Sequence, residues 1–142
     1  MTKKSIAMRW NLVCWLSLSS GCADSIDGLW MGYLDCGPGT VDIAMELDLR
    51  SVASDFYDLS GGVYWYDAEN AWWQIDYAGD LRMRGTGSYR TLDVRLTSCV
   101  EIDLGVMDCP RSISASWDRS DDLLEGVIFD FLGDEQCDFV LY

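Results

Sequence analysis

The 142-residue chain carries 24 Asp and Glu against 10 Lys and Arg, with no His, for a formal net charge of −14. Such a surface repels nucleic-acid phosphates and anionic headgroups, which excludes nucleic acid and leaves a basic protein as the favoured macromolecular partner. Without His no Ser-His or Cys-His nucleophile can form, and nothing singles out two of the acids as a glycosidase pair, so the expectation is a non-enzyme without a cofactor.

The first 21 residues read as an export label. Lys3, Lys4 and Arg9 make a cationic start, and Trp10 to Leu18 form an apolar run broken only by Asn11 and Ser17. That run is too short to span a bilayer but has the length of a secretory h-region. Leu18-Ser19-Ser20-Gly21-Cys22 is similar to a bacterial lipobox, although Ser19 stands where Leu is usual and Leu18 lies one place further out. The resemblance implies acylation of Cys22, with several chains that anchor firmly where one would bind only marginally. Cleavage after Ala23, using Gly21 and Ala23 as the small residues, is the alternative and would leave a secreted domain. Ala23 rather than Asp after the cysteine implies outer-membrane sorting, on the periplasmic or the outer surface. The expected organisation is a signal peptide at 1–21, a lipidated N-terminus and linker at 22–27, and a β-barrel domain at 28–142. The processed chain would keep seven Arg and all 24 acids, a net charge of about −17, and no Lys.

Beyond Ile26 the chain is almost entirely period-two. Val41 to Arg50 alternates apolar with mostly charged residues, the pattern of a strand with one wet face. Leu92 to Leu96 and Ile113 to Trp117 repeat it, as do Val127, Phe129 and Phe131, and then Cys137, Phe139 and Leu141. Gly37-Pro38-Gly39, Ser54-Asp55, Gly87-Ser88 and Asp118 to Asp122 supply turns between them. No stretch carries a helical stripe. The reading is all-β: about eight antiparallel strands in a meander barrel, with a sandwich as the alternative. From Trp73 to Gly85 the apolar phase never changes, which predicts one long strand bent or bulged at Gly79, or else a three-residue loop.

With Cys14 in the label and Cys22 at the lipid site, Cys36, Cys99, Cys109 and Cys137 remain, an even four that reads as two disulfides. A zinc site fails because there is no CxxC pair and no His. In a closed meander the first and last strands are neighbours, which pairs Cys36 with Cys137 and leaves Cys99 for Cys109. The acid runs Asp118 to Asp122 and Asp130 to Glu135 lack the spacing of a calcium loop and read as turns.

Three resemblances follow from short motifs. Gly28-Leu29-Trp30 resembles the GxW opening of lipocalins and calycins, which implies an antiparallel barrel with an internal cavity; the Arg that packs over that Trp is missing, since Arg119 is the last basic residue. Gly28-x-Trp30-x-Gly32 to Cys36, with Cys137-x-Phe139-x-Leu141, is similar to small bacterial lipoproteins of uncharacterised role. Ser60-Gly61-Gly62-Val63-Tyr64 resembles the SGxxY motif of membrane-bound inhibitors of c-type lysozyme, and Tyr33 to Cys36 loosely echoes their first strand. That likeness implies a loop presenting Ser60 and Tyr64 to an enzyme cleft, with an acidic inhibitor steered to a basic enzyme.

Alternation puts Trp65, Trp73 and Tyr77 on one face and Tyr64, Tyr66 and Trp72 on the other. One set fills the core; the other forms an exposed aromatic row. The functional expectation is therefore a membrane-anchored binding or surface-structural module. Its partner would be a small apolar ligand or a basic protein, met through the Ser60 to Trp73 hairpin with Gly61-Gly62 at a flexible tip.

Overall fold

The computed structural model describes residues 25–37, 43–66, 72–110, 112–131 and 134–142. The expected lipid site Cys22 and the label before it lie outside the described residues, as do Pro38 and Gly39. Nine strands follow in chain order: β1 (Gly28–Asp35), β2 (Ile43–Ala53), β3 (Phe56–Tyr66), β4 (Trp72–Arg84), β5 (Tyr89–Glu101), β6 (Gly105–Val106), β7 (Ser112–Asp118), β8 (Leu123–Phe131) and β9 (Asp134–Leu141). Their order is β4-β3-β2-β1-β9-β8-β7-β5, and β4 also pairs with β5, which closes an eight-stranded antiparallel barrel. The two-residue β6 only extends the end of β5. Full closure removes most of the free edge that an open sheet of this size would expose.

The predicted alternation sets the inner face. Tyr57, Leu59 and Val63 from β3 meet Ile75, Tyr77, Leu81 and Met83 from β4, with Met45, Leu47 and Leu49 from β2 beside them, all buried. Trp30 is buried where the GxW motif places it, and its Nε1 donates to the Ile26 carbonyl at 2.9 Å. Ser54-Asp55 makes a two-residue hairpin loop, with Asp55 at a φ of 62°.

β4 is one unbroken strand, as its phase predicts, and the irregularity falls at Ala78/Gly79. The extra residue is on the neighbouring strand: Ala78 faces Ser98 and Gly79 faces Leu96, so Thr97 on β5 has no opposite number. This bulge switches the inward phase of β5 from Leu92, Val94 and Leu96 to Cys99 and Glu101. Gly79 is required there, because a Cβ would sit 2.0 Å from the Arg95 carbonyl oxygen.

Both expected disulfides are present, Cys36–Cys137 with Cα atoms 4.1 Å apart and Cys99–Cys109 with Cα atoms 5.4 Å apart. The first continues the β1–β9 seam one step past its last pair, Asp35 with Asp138.

Candidate partner-binding surface

Among the described residues the interior holds a cavity of about 40 Å³, lined by side chains that include Leu47, Leu59, Val94, Leu96, Met107 and Ile113. Pockets that take small organic ligands run to several hundred Å³, roughly 300–1,000. A cavity of this size is too small for such a ligand, so the outer wall becomes the surface of interest.

That wall departs from the one-wet-face pattern at β1. Leu29-Trp30-Met31-Gly32-Tyr33-Leu34 is apolar on both faces: Trp30 and Leu34 point inward, while Leu29, Met31 and Tyr33 point out, Tyr33 being 68% exposed. A strand apolar on both faces is the pattern of one covered on both sides. The register extends the patch sideways. Tyr33 lies between Val140 of β9 and Ala44 of β2, Ala44 faces Tyr64 of β3, and Tyr64 faces Gln74 of β4. One step along, Met31 exchanges backbone hydrogen bonds with Tyr142 and pairs with Glu46, which faces Gly62, which in turn faces Asp76.

At the far edge of the patch Trp72 joins two tyrosines. Tyr66 meets it edge-on at 4.8 Å, and Tyr64 stacks on it at 6.0 Å with the rings 9° apart. Tyr66 and Trp72 are exposed and Tyr64 is half-buried. Each such pair is worth roughly 0.5–1.5 kcal/mol beyond the area it covers, so the cluster holds its shape without a partner. Trp65 and Trp73 stack on the inner face instead, at 6.2 Å. The division of the aromatics between faces is the one that alternation predicts.

The expectation of a Ser60/Tyr64 loop is corrected. Both residues lie inside β3, paired on one side with β2 and on the other with β4, so their backbone is committed to two ladders. Ser60 is exposed and points outward with Tyr64, but neither can enter a cleft as a loop does. Gly61-Gly62 is likewise mid-strand, not a hairpin tip. The two glycines clear space on opposite faces. A Cβ on Gly61 would sit 2.1 Å from the Glu46 carbonyl oxygen and 3.0 Å from the Tyr77 ring. On the outer face, a Cβ on Gly62 would lie 3.1 Å from Asp76 Oδ1 and 3.5 Å from the Tyr64 ring. Gly62 is itself buried, because the Tyr64 ring and the Asp76 carboxylate close over it in the row that runs from Glu46 to Asp76.

The charges around Gly62 are one-signed. Burial raises the Tyr64 hydroxyl above its ordinary value of 10.0, and a hydrogen bond to the Glu46 carboxylate and the charges of Glu46 and Asp76 raise it further. Gln74 Nε2 donates to Asp76 Oδ1 at 2.8 Å, which orients the second carboxylate. Residues 28–35, 43–49, 60–66 and 72–78 include Asp35, Glu46, Asp48 and Asp76 but no Lys or Arg. The nearest cations of these strands, Arg50, Arg82 and Arg84, lie toward the other end of the barrel. Alternation in the sequence placed Tyr64, Tyr66 and Trp72 on the outer face but did not single out Leu29, Met31, Tyr33 and Tyr142, which share it. The unbroken apolar run 29–34 was the signal for the first three.

No known protein family, curated protein or solved structure matches the chain. Among the described residues no group of three or more metal-ligating side chains occurs, and no helix is long and apolar enough to cross a membrane.

Proposed function

We propose that the chain is an exported, lipid-anchored, non-catalytic module that holds a protein partner against the outer wall of its barrel. Its first 22 residues support export and acylation at Cys22, and Ala23 supports sorting to the outer membrane. The observation that carries the binding reading is β1, apolar on both faces in a barrel whose interior is already filled. Exposed patches that join apolar and aromatic side chains within a polar rim mark protein interfaces. The location fits as well. The chain enters the barrel at Gly28, while Tyr66 and Trp72 stand at the opposite end, so an anchor before Gly28 leaves the aromatic end facing away from the membrane. A small ligand inside the barrel is the weaker reading, given a cavity of about 40 Å³.

The test is photo-crosslinking in cells that export the full chain, with a benzophenone side chain in place of Tyr33 or Trp72 and, as controls, Val52 or Tyr89 at the other end. The expected result is a discrete protein adduct from positions 33 and 72 and none from 52 or 89. Equal adducts from all four, or none from any, would overturn the reading. Palmitate labelling that is lost in Cys22→Ala checks the anchor.

A further inference from the structure

We propose that the β2–β3 hairpin tip, through Val52, Phe56 and the neighbouring Arg82, docks on the bilayer that holds the anchor, at the boundary between zwitterionic headgroups and acyl chains. The inference rests on acylation at Cys22 and names what the anchored end of the barrel touches.

Chain length sets the distance. Four residue steps separate Cys22 from Ile26, and an extended chain covers at most about 14 Å in four steps. Ile26 is buried, and its N–H donates to the Tyr57 hydroxyl at 3.4 Å. Asp27 Oδ1 accepts from the Ser51 N–H. The chain is thus pinned to the barrel beside the β2–β3 turn, one residue from Val52. The other end, where Leu104 and Val106 are exposed, stands a strand length away, about 40 Å along the 13 residues of β4.

The corner carries side chains suited to such a boundary. Val52 is 57% exposed and Phe56 45%. Ser51 faces Tyr57 and Ala53 faces Phe56, so Val52 is an extra residue in β2, a bulge of the kind that re-aims a side chain. The guanidinium of Arg82, which faces Phe56 from β4, lies 5.3 Å from the centre of its ring. With that ring at the acyl boundary, the cation on its face stands at the level of the phosphates. The turn is also tied down, since the Asp55 carbonyl accepts from the Met83 N–H at 2.8 Å, which lowers the ordering cost of docking.

Charge separates this corner from the rest of the same end. Residues 25–28, 50–58 and 82–84 hold three Arg and three Asp, a neutral region on a chain of −14. Across the barrel mouth the β7–β8 turn, residues 118–122, holds three Asp and one Arg. A zwitterionic surface accepts the neutral corner, while the acidic turn stays in water.

The test uses the full-length chain in phosphatidylcholine vesicles, with a benzophenone side chain in place of Val52, Phe56, Leu104 or Asp121. Mass spectrometry after irradiation reads the lipid adducts and, on the same sample, the acylation of Cys22. Positions 52 and 56 should give phosphatidylcholine adducts about fivefold above 104 and 121. Val52→Ser with Arg82→Ser should lower the adduct from 56 about fivefold while circular dichroism and the melting temperature hold. Equal adducts from 56 and 121 overturn the proposal, since the tether alone then sets the distance. So does an adduct from 56 that the double variant leaves unchanged, or one to a second copy of the chain. If Cys22 is acylated and 56 gives no lipid adduct, the docking face is wrong and the anchor stands. If Cys22 is unmodified, both fall.

Discussion

The hydroxyl of Tyr77, on the inner face of β4, donates to the backbone carbonyl of Glu46 two strands away on β2. Between them lies Gly61 on β3, whose missing side chain leaves the ring a path. The backbone that carries this outward-facing acid is thus held in place from inside the barrel, and core packing fixes a surface feature.

Tyr77→Phe removes that hydrogen bond and leaves a carbonyl short of its donor. The expected loss is about 1 kcal/mol, seen as a lower urea midpoint with an unchanged slope. A changed slope would mean that the ring also controls how compact the unfolded or folded chain is.

The paired glycines should respond differently to the same substitution. Gly61→Ala drives a methyl group into a backbone carbonyl and should cost about 3 kcal/mol or prevent folding. Gly62→Ala meets its neighbours at 3.1 Å and should cost about 1 kcal/mol or less. Thermal melts of the two variants check the ranking.

The disulfides should differ in weight. Cys36–Cys137 closes a sequence separation of 101 residues and Cys99–Cys109 one of 10. In the loop-entropy picture these contribute about 4.7 and 2.7 kcal/mol. Replacing the first pair by Ala should lower the melting temperature more than replacing the second. The reverse order would mean that the Cys99–Cys109 tie contributes chiefly by holding the β5–β6 hairpin in its native packing.

Alkali should unfold the domain through two tyrosines. Burial raises Tyr77 first, with Tyr64 and Glu46 adding to it, and Tyr64 is raised by burial and then by Glu46 and Asp76. Both hydroxyls keep their protons in the folded state above the ordinary value of 10.0. Below that pH the phenols are neutral in both states and the contribution is complete. Above it the unfolded chain releases protons that the folded chain retains, so stability falls as pH rises. Urea midpoints should hold from pH 8 to about 9.5 and decline from there toward pH 11.5, and Tyr64→Phe with Tyr77→Phe should flatten the decline. An unaltered decline would assign it to other groups.

Much of the barrel was legible because period-two alternation is local. The meander, the long β4 and the pairing of Cys36 with Cys137 all follow from phase and closure. The Thr97 bulge was not legible, because it depends on how β5 meets Gly79 rather than on the pattern of β5 alone. Gly61-Gly62 misled for a related reason. Adjacent glycines favour a turn locally, and only ladders on both sides of β3 show that they make room on two faces. The row of Glu46, Gly62 and Asp76 was invisible for the same cause, since the three become neighbours only through a register that three strands set together.

The central claim, that the outer wall and not the interior is the working face, is tested most directly by photo-crosslinking from position 33 in cells, with Leu29→Ser and Met31→Ser on the wall set against Leu96→Val and Ile113→Val at the cavity. The discrete protein adduct should be lost in the wall variant and kept in the cavity variant. Loss in the cavity variant alone, or equal adducts in both, would contradict it.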